Sequence, residues 1–184
     1  MAERLDDLTA RFFVTLATNG RGDVSADVLK GRGGIKTLVE VDAAPSLLGD
    51  TGPRAVLSLE MLPFANGAVD CVFAANELHQ VNDLPGALVQ IRRALRPDGL
   101  FLGAIFGPET LNPLRLAFLE AEAALDAPVS PHIAPTIDIR DAAGLLQRAG
   151  FALPVADTET ITVSYANPFK LLQDLRSMAE TNVL

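Results

Sequence analysis

Apolar residues in this chain gather into short runs of strand length, set apart by polar connectors rich in glycine, proline and aspartate. Five runs stand out: residues 12–17 (FFVTLA), 37–41 (TLVEV), 55–59 (AVLSL), 69–75 (VDCVFAA) and 100–106 (LFLGAIF). They are mostly apolar on successive positions, as strands buried on both faces are. Helix signals follow them. Residues 24–30 form a short helix stopped by Gly31, Gly33 and Gly34. Residues 84–95 carry Leu84, Leu88, Ile91 and Leu95 at helical spacing, with Asp83 placed as a cap and Pro85 in the first turn.

The stretch 62–107 is the clearest unit. A buried strand, a polar loop, a helix, the turn Arg96-Pro97-Asp98-Gly99 and a second buried strand follow one another. Parallel strands joined by a helix build α/β sheets, so the fold class is a Rossmann-like open, mostly parallel sheet with helices on both faces. Ligands in such sheets sit beyond the carboxyl ends of the strands, which points to the loop 76–82. Further helices are expected over 2–11, 113–125, 138–149 and after Asn167-Pro168. Residues 153–156 and 160–165 read as late strands. In the second, Ile161, Val163 and Tyr165 alternate with Thr162 and Ser164, which predicts an antiparallel last strand. With no repeat, low-complexity tract or linker, residues 1–184 form one domain.

Composition narrows the function. The chain of 184 residues is 49% hydrophobic and carries a net charge of −8. An acidic chain repels phosphate backbones, which argues against nucleic-acid binding and leaves a small-molecule or protein partner. Cys71 is the single cysteine, so no internal disulfide forms, and its apolar surroundings mark it as an inert thiol. One cysteine and two histidines cannot supply a Cys/His zinc site. No run approaches the ~20 apolar residues of a transmembrane segment. The start MAERLDDLTARFF lacks the basic and apolar regions of a signal peptide, and a cytoplasmic protein is expected.

His79, in the loop after the fourth strand, is placed either to act as a base or to hold structure through hydrogen bonds. His132 lies in the proline-rich loop 127–136, which could fold over a pocket.

Leu62-Pro63-Phe64, Val69-Asp70, Asn82-Asp83-Leu84 and Leu95-Arg96-Pro97-Asp98-Gly99 resemble motifs of the class I S-adenosylmethionine-dependent methyltransferases, nearest to their type-11 group. Residues 77–115, then SPHIAP at 130–135 and LLQRAGF at 145–151, resemble a narrower family. It is that of the arginine-hydroxylating assembly factor of mitochondrial respiratory complex I, with its bacterial relatives. The GPETL-type segment is shared with the malonyl-carrier-protein methyltransferase of biotin synthesis. The resemblance is strong from Leu62 to Asn182 and weak before Thr37. The family continues beyond Leu184, so a domain shortened at its ends relative to the family is expected.

The resemblance implies S-adenosylmethionine as cofactor. Its glycine loop falls on residues 18–22, where Gly20 and Gly22 match. Leu16 stands where the family has an acidic residue, and Thr18 where it has its first glycine. Asp42 would accept the ribose hydroxyls, a strand-end helix cap being the alternative. Ser58 takes the place of an adenine-contacting Asp, with Glu60 beside it. Asn76 to Leu78 would line the methionine and reaction side, and Gln80 replaces a Trp next to His79. Methyl transfer from a sulfonium is an in-line displacement that needs positioning and exclusion of water, so no catalytic triad is required.

Three functions follow from these residues. One is methyl transfer to a small-molecule or protein acceptor. Another is a hydroxylase or assembly factor acting on a respiratory-complex subunit. For that chemistry, two histidines leave little for an oxygen-activating two-His-one-carboxylate centre. The third is a catalytically inert domain that keeps the fold as an interaction surface, favoured by Leu16, Thr18 and Ser58.

Overall fold

A computed structural model describes residues 1–19, 21 and 23–180. The five apolar runs become the strands β1 (Val14–Thr18), β2 (Thr37–Asp42), β3 (Arg54–Val56), β4 (Val69–Ala75) and β5 (Leu95–Ala104). They form one sheet in the order β3-β2-β1-β4-β5, with every pair parallel. The chain winds outward from β1 through β2 to β3, then returns to lay β4 on the other side of β1. The crevice between the ends of β1 and β4 is therefore the topological switch point, where open α/β sheets bind ligands.

Helices cover both faces. Helix α1 (Val24–Leu29) packs Leu29 against Ala2, Leu5, Phe12, Ala17, Cys71 and Phe73. Helix α2 (Leu84–Ala94) buries Ala87, Leu88, Ile91 and Ala94 on the opposite face, over a core of Leu16, Val41, Leu62 and Val72. Its start follows from its first residues: Asp83 Oδ1 accepts from Gly86 N at 2.9 Å, and Pro85 lies in the first turn. Helices α3 (Asn112–Ala124), α4 (Ile139–Arg148) and α5 (Pro168–Ser177) complete the chain. Asp138 caps α4 by accepting from Arg140 N, and Asn167 caps α5 by accepting from Lys170 N.

Three local expectations change. The anticipated antiparallel last strand is absent among the described residues, and residues 153–165 carry no strand pairing. Ile161 and Val163 stay exposed, at 77% and 58%. Period-two patterning makes a strand only where a neighbouring strand accepts its ladder, and none does here. The N-terminal helix over 2–11 is a short 3-10 turn, Ala2–Leu5, anchored by Leu5 at 1% exposure.

The Arg96–Gly99 turn is absorbed into β5 as a bulge. Val69 pairs with Leu95 and Cys71 with Leu100, so the extra residues on β5 loop out, with Asp98 at a φ of 60°. Gly99 is required there, because a Cβ would meet Arg96 O at 2.9 Å and Asp70 O at 3.1 Å. Asp70 explains part of the motif at the start of β4. Its carboxylate accepts from Val14 N at 2.7 Å and pairs with Arg96 at 2.7 Å, tying the starts of β1, β4 and β5 together. It lies at the end of the sheet opposite the switch point.

Candidate functional site at the switch point

A cleft of about 290 Å³ opens beyond the carboxyl ends of β1, β2 and β4. Asn19, Asp42, Ser58, Glu60, Glu77 and Gln80 contribute its polar lining. Asn19, which lines the cleft, and Asn76, to whose carbonyl it is bonded, are both left-handed, with φ of 58° and 53°. Asparagine tolerates this conformation better than most residues. Asn19 Nδ2 donates to the carbonyls of Ala75 (2.7 Å) and Asn76 (3.0 Å), joining the loop after β1 to the loop after β4.

The candidate cofactor residues divide into those the cleft collects and those it does not. Asp42 closes β2 and lines the cleft at 5% exposure. Its Oδ1 accepts from Ala44 N at 2.8 Å, so the capping role and the cleft-lining role coexist in one carboxylate. Burial raises its pKa, while the Ala44 N–H and the charge of Arg21 hold it back. Ser58 and Glu60 line the same wall. Ser58 Oγ accepts from Glu60 N at 3.2 Å, and Glu60 Oε1 accepts from Asp83 N at 2.8 Å, which locks this wall to the start of α2. Asn76 contributes its backbone carbonyl to the joint with Asn19 and does not line the cleft. Gly20 and Gly22 lie outside the described residues.

Leu16 is fully buried, in the core cluster with Val41, Val72 and Ile91. Thr18 is also fully buried, paired with Val41 and Ala74, with its hydroxyl toward Glu77. Leu16 faces packed protein.

Glu77 lies within the stretch 76–78 expected on the methionine and reaction side, and the structure singles it out. It lines the cleft, and its Oε2 is buried without a hydrogen-bond partner. Burial pushes its pKa up to about 7; Asp42 adds to the rise, while the Thr18 hydroxyl, Arg21 and His79 oppose it. Its signal was present in the sequence: a carboxylate following Asn76 in a loop already assigned to the site.

His79 sits behind the cleft. Its side chain is 3% exposed, Nε2 lies 2.8 Å from Glu180 Oε2, and the ring tilts against Phe106 with centroids 4.8 Å apart. Arg21, at a φ of 48°, pairs with the other oxygen, Glu180 Oε1, at 2.8 Å. Gln80 Nε2 donates to Glu180 Oε2 at 3.3 Å. His132 lies away from the cleft. It stacks on Phe118, with centroids 4.2 Å apart, and meets Glu122 Oε1 at 2.8 Å, pinning the proline-rich loop onto α3. Cys71 is inert, its thiol pushed up to about 12 by burial and by the charge of Asp70. Among the described residues no helix is long and apolar enough to cross a membrane.

Comparison with known proteins gives the same answer as the geometry. A methyltransferase-domain family model matches residues 19–103. The human mitochondrial arginine-hydroxylase NDUFAF5 is 36% identical over 99% of this chain, which spans 54% of that protein's length. The malonyl-[acyl-carrier protein] O-methyltransferase of Laribacter hongkongensis is 34% identical over 99% of the chain, which spans 65% of it. Among solved structures, the trans-methyltransferase CalH in complex with SAH aligns over 82% of this chain and 47% of its own, with 18% identity and a TM-score of 0.55, a likeness of fold.

The cleft fits S-adenosylmethionine by its donor set. A carboxylate at the end of β2 suits a ribose diol, and the carboxylates of Asp42, Glu60 and Glu77 suit a cationic sulfonium ligand. Fold, cleft and sequence relatives agree that the chain has the class I S-adenosylmethionine-dependent methyltransferase fold and is related to the NDUFAF5 arginine-hydroxylases.

Proposed function

We propose that this domain uses S-adenosylmethionine to methylate a small-molecule or protein acceptor. The observation that carries this is the position of Asp42: a buried carboxylate at the end of β2, lining a cleft at the switch point. When bound, the cofactor supplies an activated methyl group. The chain supplies position. Asp42 would hold the ribose, Ser58 and Glu60 the adenine side, and the loop from Glu77 to Asn82 the reacting side. The joint made by Asn19 keeps the two loops at a fixed separation. Glu77 is the group in the cleft suited to take a proton from an acceptor that must lose one, its carboxyl titrating at about 7. His79 would act through position, holding the loop from behind.

The test is calorimetry with S-adenosylhomocysteine, followed by transfer of labelled methyl to candidate acceptors. Micromolar binding is expected. Absence of binding at about 1 mM ligand, weaker than roughly −4 kcal/mol, would refute the assignment and leave the inert interaction domain.

A second reading is favoured by the 36% identity with human NDUFAF5 across 99% of the chain. In it the acceptor is a respiratory-complex subunit and the domain serves as an assembly factor or arginine hydroxylase. Co-purification with respiratory-complex subunits supports this reading, and their absence from a pull-down with the tagged protein counts against it. The proposed compartment is the cytoplasm, checked by cell fractionation.

A further inference from the structure

The two edges of the sheet are not alike. β3 closes one side with three residues, Arg54–Val56, the first of them charged. Shortness and charge keep an edge from pairing with another chain. β5 closes the other side with ten residues. Its start is blunted by the bulge at Arg96–Gly99, which contains Pro97. Beyond the bulge, residues 100–104 (LFLGA) carry no charge and no proline. The inner strand β4 is buried from Val69 to Ala74, whereas Leu100, Phe101, Leu102 and Ala104 are half-buried and Gly103 is exposed. These residues have the composition of an inner strand and the position of an outer one. Among the described residues no strand pairs with their outer edge. An apolar edge without such protection is a template for a further strand.

The same chain carries a strand pattern without a sheet. At 160–165, Ile161, Val163 and Tyr165 alternate with Thr160, Thr162 and Ser164, and no ladder takes them up. Apolar exposure gathers around this segment: Leu153, Val155, Ile161, Val163 and Phe169 are each at least 58% exposed. Six patterned residues match an opening of five. The flanks hold the segment on a path that does not meet its own β5. Before it, Phe151 packs on Phe101 with centroids 5.3 Å apart, and Asp157 pairs with Arg4 of the N-terminal turn. After it, α5 leads to Glu180, whose carboxylate is held by Arg21 and His79 behind the cleft.

We propose that residues 160–165 of one copy pair with the open edge of β5, residues 100–104, in a second copy, and that reciprocal exchange closes a two-fold dimer. Each copy holds one donor strand and one acceptor edge, so two copies satisfy both and leave no further edge to recruit a third. Laid beside β5, the segment puts Ile161, Val163 and Tyr165 on one face of the sheet and the three hydroxyl side chains on the other. The apolar face extends the half-covered surface of Leu100 and Leu102, and the hydroxyl face meets solvent. The contact lies at the outer edge of the sheet, whereas the cleft lies beyond β1, β2 and β4, so this inference does not rest on the cofactor assignment.

Sedimentation equilibrium of the full chain from about 1 µM to about 200 µM tests it, since the dimer fraction rises with concentration. The mass should climb from one chain to two and stop there. Hydrogen exchange at both ends of that range should show residues 100–104 and 160–165 gaining protection together as the dimer forms. Val163→Pro removes a backbone donor at an exposed, unpaired position, and Ile161→Lys keeps the backbone but charges the apolar face. Each should leave the circular dichroism of the monomer unchanged and raise the dimer dissociation constant at least about tenfold. A chain that stays monomeric at about 200 µM overturns the proposal, whether residues 160–165 are unprotected or protected as a strand within one molecule. So does a dimer that both variants leave unchanged, which would be joined by another surface. A mass that climbs past two chains overturns the closed exchange and marks open-ended stacking of edges.

Discussion

Glu77→Gln tests the site through the energetics of folding, without a ligand. In the native protein the Glu77 carboxyl keeps its proton up to about pH 7, against an ordinary value of 4.5, chiefly because burial disfavours the charged form. Between those two pH values the unfolded chain has released the proton and the native chain has not. Stability therefore falls as pH rises through this window. The contribution is fully present below the unfolded value and gone above about pH 7. At about 1.4 kcal/mol per pH unit the loss reaches about 3 kcal/mol, and water at the open side of the cleft lowers it. Glutamine has the shape of the protonated acid and does not titrate. Urea unfolding at intervals from pH 4.5 to 8 should show variant and wild type nearly equal at the acid end, with the variant more stable by about 2 to 3 kcal/mol at pH 8. Asp42 and Glu40 are also raised by burial, but they contribute to both proteins and cancel in the difference. Parallel stability curves, or a variant less stable than wild type at pH 8, would refute the claim that Glu77 is held protonated by burial.

Leu16→Asp should destabilise the fold by at least about 3 kcal/mol in chemical denaturation, since it places a carboxylate in a fully buried position and removes packing there; a variant of unchanged stability would refute this. Asp42→Ala should weaken S-adenosylhomocysteine by roughly ten- to a hundredfold in calorimetry, as a lost hydrogen bond to a charged group does, with a stability cost of about 1 kcal/mol from the lost bond to Ala44 N; unchanged affinity would remove Asp42 from the ribose contact. Asp83→Ala should cost about 1 kcal/mol through loss of the α2 cap, read as a lower unfolding midpoint.

The sheet was legible because its strands are doubly buried and therefore continuous in the sequence. Residues 69–75 were bounded correctly as β4, and the helix from Leu84 was found from its stripe and its cap. The late strands were not legible for the opposite reason. Alternation at 160–165 marks a segment that could have a buried face, but it carries no information about whether a partner edge exists. The site was half legible. Asp42, Ser58 and Glu60 follow from strand ends, because the carboxyl edge of a parallel sheet is fixed once the strands are. Glu180 could not be found this way. It lies 159 residues from Arg21 in sequence, and only the path of the chain beyond α5 brings it beside β1 and β4.

The loss of a carboxylate at Leu16 does not empty the cleft of negative charge. Leu16 lies in register with Val39 and Val72, between neighbouring strands, and packs in the core as a leucine should. A carboxylate at that position would need polar partners in the loop to repay its desolvation. Glu77 puts a carboxylate into the cleft from the loop after β4, where Asp42 and Arg21 both act on it. A carboxylate suited to a cationic ligand is thus present in the cleft, on a residue whose pKa burial raises to about 7. Ligand binding at this site should then strengthen as pH rises through about 7, while fold stability weakens over the same interval.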